Sequence, residues 1–130
     1  MSAFTVSQLQ VKSYDAPDEQ RRPDKTAVDI LNLGDYTLGR FTFEPGWRWS
    51  ECIKPVVNTE SCQNNHVGYC ISGSIEVEMS DGTRTTIKAG DSYTIPAGHD
   101  ARVVGDEPFR GIEFLSAASF AKSSGEGVTR

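Results

Sequence analysis

The sequence predicts an all-β fold in one domain, a sandwich or a barrel, and three observations carry that reading. Short runs rich in β-branched and aromatic residues recur at close spacing: 28–33, 36–43, 66–72, 74–80, 83–87, 92–95, 101–104 and 109–115. Turn formers punctuate them, among them Pro45-Gly46, Gly73, Asp81-Gly82, Gly90-Asp91, Pro96-Ala97-Gly98 and Pro108. No helical stripe longer than two turns interrupts the series.

Taken in order, residues 4–11 alternate enough to form a first strand, and 15–25 carry charges and prolines with almost no apolar side chain, which reads as a solvated arm. Residues 28–33 and 36–43 make two strands around Gly34-Asp35, and 54–63 form a long connection. In 66–72, Val67, Tyr69 and Ile71 are expected to face inward, with His66, Gly68 and Cys70 on the other face. In 74–79 the alternation is clean: Ile75, Val77 and Met79 inward, the glutamates toward water. Asp81-Gly82 signals a hairpin with a type I′ turn. Residues 116–122 suit a short helix capped by Ser116, and the tail beyond should fray. This divides the chain into an N-terminal strand and arm (1–25), a barrel (26–116) and a C-terminal helix and tail (117–130).

At 130 residues the chain is long enough to bury a core without covalent staples. A net charge of −5 disfavours nucleic acid and anionic lipid as partners, since both need a basic face. No apolar run reaches the roughly 20 residues of a membrane span, and residues 1–10 lack the pattern of a secretory signal. Three cysteines are an odd number, which points to free thiols or ligands rather than a disulfide framework. A cytoplasmic location is the expectation.

The centre of the chain resembles the cupin superfamily of small β-barrels, over roughly residues 44–108. Cupins carry G, five residues, H-x-H, a short gap, E, six residues, G; here Gly46 is followed by five residues and then Cys52-Ile53-Lys54, and His66 by six residues and then Gly73. Their second motif runs G, five residues, P-x-G, two residues, H, three residues, N; here Gly90 leads to Pro96-Ala97-Gly98, with Ala101 and Gly105 in the last two places and His99 directly after the turn. The turn framework matches, and the family's ligand positions hold Cys52, Lys54, His66 and Ala101. The segments 45–51, 61–63, 66–69 and 95–101 are similar to one small bacterial cupin group, which has histidine at the positions of Cys52 and Asn65 and places its second-motif histidine as His99 stands here. The resemblance implies a double-stranded β-helix, or jelly roll, with a divalent metal inside, and a homodimer that pairs or exchanges N-terminal strands.

Cys52, His66 and His99 are the Cys/His set that the motif brings toward one cavity. A Cys/His/His trio suits Zn²⁺ with an open fourth position, with Fe, Mn and Ni as alternatives. Each also has a structural reading: Cys52 as a small buried residue, the histidines as hydrogen-bonded groups at strand and turn. Trp47 and Trp49 flank Arg48 and either pack the wall or stack a ring-shaped ligand. Trp49, Glu51, Asn65 and Tyr69 are the candidate pocket residues. No nucleophile elbow, phosphate loop or dinucleotide fingerprint is present, and no catalytic residue is assigned. The leading functional reading is a barrel that binds a metal and a small organic molecule, with metal-dependent catalysis as an extension. The alternatives are a metal-free small-molecule binding or sensing module and a purely structural dimer.

Overall fold

Two antiparallel sheets face each other in the computed structural model, which describes residues 6–114. The strands are β1 (Glu19–Arg21), β2 (Thr26–Leu33), β3 (Tyr36–Phe43), β4 (His66–Ser72), β5 (Ser74–Met79), β6 (Arg84–Lys88), β7 (Ser92–Ile95), β8 (His99–Val103) and β9 (Phe109–Phe114). A six-stranded sheet runs β1-β2-β3-β9-β4-β7 and a three-stranded sheet runs β6-β5-β8. This is the jelly-roll barrel that the strand pattern and the motifs predict. No helix of the described residues is long and apolar enough to cross a membrane.

Inward-facing side chains of both sheets make the core. Its aromatic end is built on Phe43, whose ring stacks on Trp47 at 3.8 Å and lies 5.7 Å from Phe109. The Trp47 indole N–H donates to the Thr26 hydroxyl at 2.9 Å, so the polar edge of a ring that is 2% exposed is satisfied. By register Phe43 pairs with Phe109, and Phe109's neighbour Arg110 pairs with Ser72, whereas His66 begins β4 at the other end. The aromatic stack thus fills one end of the barrel and leaves the polar cluster at the other.

Several local expectations are corrected. β1 lies inside the segment expected to be a solvated arm. Asp18 anchors it by accepting the Asn32 N–H at 2.7 Å, and Arg22 pairs with the buried Asp29 at 2.6 Å. Residues 6–11 form no strand, and the remainder of that expected strand lies outside the described residues, as does the expected helix at 116–122. The connection after β3 contains two single-turn helices, α1 (Trp49–Cys52) and α2 (Lys54–Val57). The β5–β6 hairpin is present, but only Gly82 takes positive φ; Asp81 accepts the Thr83 N–H on its own carboxylate and stays in the ordinary region.

The face of β4 is the main reversal. His66, Gly68 and Cys70 point inward, while Val67, Tyr69 and Ile71 are each about half exposed on the outer surface. Apolar size is a poor guide to direction here, because the inner face of β4 is occupied by a hydrogen-bonded histidine and a glycine that makes room for its neighbours.

Candidate metal centre

Three elements bring the cluster together. His66 opens β4, His99 opens β8, and Cys62 sits in the preceding loop, paired to His99 through an isolated antiparallel bridge. The Cys62 N–H donates to the His99 carbonyl at 2.8 Å, and the Gly98 N–H donates to the Cys62 carbonyl at 2.7 Å. The ligand atoms of Cys62, His66 and His99 lie within 4.8 Å of one another, and all three residues are buried. The Cys62 Sγ to His66 Nε2 distance is 3.6 Å. Tetrahedral zinc, with bonds of about 2.3 Å to sulfur and 2.0–2.1 Å to nitrogen, sets those two donors roughly 3.6 Å apart.

Hydrogen bonds at Nδ1 fix both imidazoles and leave Nε2 to face the cluster. His99 Nδ1 is 2.7 Å from the Pro96 carbonyl, an acceptor only, so the proton sits on Nδ1. His66 Nδ1 donates to Glu113 Oε1 at 2.6 Å, and the Tyr93 hydroxyl donates to Glu113 Oε2 at 2.5 Å. A carboxylate behind a histidine is the arrangement that orients a metal ligand and raises its basicity. A divalent ion, one thiolate and the Glu113 carboxylate also sum to zero charge, which suits a buried site.

Electrostatics in the ion-free state point the same way. Burial pushes the Cys62 thiol up, but the hydrogen bonds and charges of His66 and His99 outweigh it and pull the thiol down to about 7. Burial pushes His66 down, and Cys62 with Glu113 reverses this and raises it to about 9. Both shifts favour a thiolate beside an imidazolium between about pH 7 and 9. Tyr93 is driven well above the usual phenol range, first by burial and then by Glu113, so it stays a donor.

The structure places the sequence-derived candidates as follows. His66 and His99 meet, with ring centroids 5.1 Å apart. The thiol that joins them is Cys62, not Cys52. Cys52 lies in α1, where its Sγ turns to Asp24 Oδ2 at 3.9 Å and burial raises its pKa. Trp49 is a core residue at 2% exposure, and Glu51 stands exposed on α1. Tyr69 points outward on β4. The Asn65 side-chain oxygen accepts the Ala97 N–H at 2.9 Å, which pins the Pro96-Ala97-Gly98 turn and so helps aim His99. The signal for Cys62 lay in counting back from His66: the motif's short gap separates Glu60-Ser61-Cys62 from His66, which sets Cys62 in the second histidine position. Glu113 and Tyr93 have no motif signal. A buried Glu at an inward position of β9 is visible only once the strand registers are known.

Fold and inward donors together define a small β-barrel domain with a candidate metal centre in its interior. The cupin domain family matches residues 39–114, over half of the chain, and the chain belongs to the cupin superfamily. Among solved structures it is similar to a structural-genomics protein of unknown function from Rhizobium leguminosarum, at 20% identity over 83% of this chain and 97% of that one, with a TM-score of 0.58. An uncharacterised protein with a double-stranded β-helix domain from Klebsiella pneumoniae matches at 22% identity, 82% and 89% coverage and TM-score 0.53. The oxalate decarboxylase of Lactobacillus farciminis, solved as a formate complex, matches at 17% identity and TM-score 0.54; the alignment covers 81% of this chain and only 31% of the decarboxylase. These likenesses show the fold. A comparison with functionally curated proteins found no match.

Proposed function

We propose that Cys62, His66 and His99 hold one divalent transition metal, Zn²⁺ by preference, and that the barrel takes a small organic molecule beside it. The observation that carries this reading is the convergence of the three ligand atoms within 4.8 Å, with both histidine tautomers fixed from behind. A bound ion would supply Lewis acidity or an activated water in its open position. Elemental analysis of protein purified without an affinity tag should find one metal per chain, removed by a chelator and absent from a His99→Ala variant. Metal-free protein that still binds small molecules would favour the second reading, a metal-free binding or sensing module. The self-satisfied Cys62–His66–Glu113 chain is the feature that supports that alternative.

Metal uptake should depend steeply on pH. Between about 7 and 9 the free protein carries the thiolate and the His66 proton, so binding releases one proton and affinity rises about tenfold per pH unit. Below about 7 the thiol must also ionise, and the slope approaches two protons. A competition titration with a chromophoric chelator from pH 6 to 9 reads this directly, and a flat profile would count against His66 as ligand.

The homodimer is also a proposal. Val67, Tyr69, Ile71 and Phe114, each about half exposed, form an apolar stripe on the outer face of β4 and β9. Light scattering should return twice the 14.2 kDa chain mass.

A further inference from the structure

The six-stranded and three-stranded sheets do not close along every edge. Between β7, the last strand of one, and β6, the edge of the other, lies a cleft of about 400 Å³. Val77, Ile87, Tyr93 and Ile95 wall it as buried residues, and Met79 is half-buried at the end toward the cluster. Thr85 pairs directly with the inward-facing Val77, so it faces the same way, yet it is exposed; this marks where the cleft opens.

Register ties the cleft to the metal centre. Ile95 is the cross-strand partner of His66, and Met79 is the partner of His99. Tyr93 borders the cleft and holds the Glu113 carboxylate that orients His66. A molecule in the cleft would therefore sit against the residues that carry the cluster.

The lining selects by charge. Among the described residues no lysine or arginine lines the cleft, and its one charged lining residue is Asp91, whose carboxylate accepts the Lys88 N–H at 3.0 Å and pairs with the Lys88 ammonium at 3.5 Å on the outer side. The other polar side chains are threonines and a serine, besides Tyr93, whose hydroxyl is committed to Glu113. Three arginines line a separate cavity of about 290 Å³ instead, where Arg48, Arg84 and Arg102 pair with Asp100, Glu78 and Glu76. A carboxylate in the β6–β7 cleft would find no free cation there, because the exposed Lys88 ammonium beside it is already paired with Asp91.

We propose that this cleft binds an uncharged, mainly apolar small molecule of ring size, with its polar group among the threonine hydroxyls. The inference rests on the reading that the barrel takes a small molecule beside the cluster and names where and of what class. The test uses indole and indole-3-carboxylate, which share a ring and differ by the charge. Each is titrated into zinc-loaded and chelator-treated protein carrying ¹³C-labelled Ile and Met methyls.

Indole should bind one to one and shift the methyls of Ile87, Ile95 and Met79, and the carboxylate should bind at least tenfold more weakly. Ile87→Trp should weaken indole at least tenfold by filling the cleft. Thr85→Trp should do the same from the opening, where folding is less at risk. Equal or tighter binding of the carboxylate, shifts confined elsewhere, indole binding unchanged in a folded variant, or no indole binding at millimolar concentration would each overturn the proposal. Metal content measured on the same samples separates the two readings: full zinc without indole binding sinks the cleft alone, and indole binding without zinc sinks the metal alone.

Discussion

Cys62→Ser should lower zinc affinity by at least about 100-fold, while Cys52→Ser leaves it unchanged. A thiolate is the one anionic and soft donor of the trio, and serine offers a neutral hydroxyl that stays protonated at this pH. Losing it removes a bond to the ion and the charge that balances the ion in a buried site. Loss of a mere supporting group costs about 10–100-fold in such sites, so loss of a ligand should exceed that range. Cys52 gives the matched control, because it is equally buried but its thiol faces Asp24 from α1. Cobalt substitution sharpens the test: thiolate-to-cobalt absorption should vanish in Cys62→Ser and persist in Cys52→Ser. The opposite pattern would return the site to Cys52.

Cys52 also shows where the sequence was legible and where it was not. The barrel followed from turn residues at short intervals, and the turns fall where expected because glycine and proline impose backbone geometry locally, although the Asp81-Gly82 turn is not of the expected type. His99 was readable for the same reason: it follows the Pro96-Ala97-Gly98 turn, whose own carbonyl holds its ring. The first motif was misaligned because two helical turns, α1 and α2, lengthen the path between Gly46 and the ligand pair. Counting forward from Gly46 therefore reaches Cys52, and counting back from Gly73 reaches His66 and Cys62. The direction of β4 was hidden for another reason. Alternation assigns the apolar set inward, but here the outer set, Val67, Tyr69 and Ile71, is the apolar one, and only pairing with β7 and β9 reveals it. Glu113 was beyond reach, since its place behind His66 exists only through the pairing of β9 with β4.

Gly68→Ala should separate these roles. In the sheet Gly68 pairs with Tyr93 on one side and Glu113 on the other, so their inward side chains meet over a position that has none. A Cβ there would lie 2.8 Å from the Tyr93 hydroxyl and 2.8 Å from Glu113 Cγ, and 2.6 Å from the Ile112 carbonyl oxygen. The backbone oxygen cannot swing aside, so the strands must shift or the Tyr93–Glu113 pair must part. Overpacking of this kind costs roughly 1–3 kcal/mol of stability. If the pair parts, His66 loses the acceptor that fixes its tautomer, and zinc affinity should fall about 10–100-fold although no ligand has changed. The double variant Gly68→Ala/Tyr93→Phe removes one of the clashing atoms. It should recover part of the stability without restoring zinc binding, because Glu113 then has no phenol to hold it. Denaturant melts and zinc competition on the single and double variants measure both effects. Additive stability losses, or zinc affinity equal to that of the unaltered protein, would mean that Gly68 makes no room for the pair and that Glu113 does not aim His66.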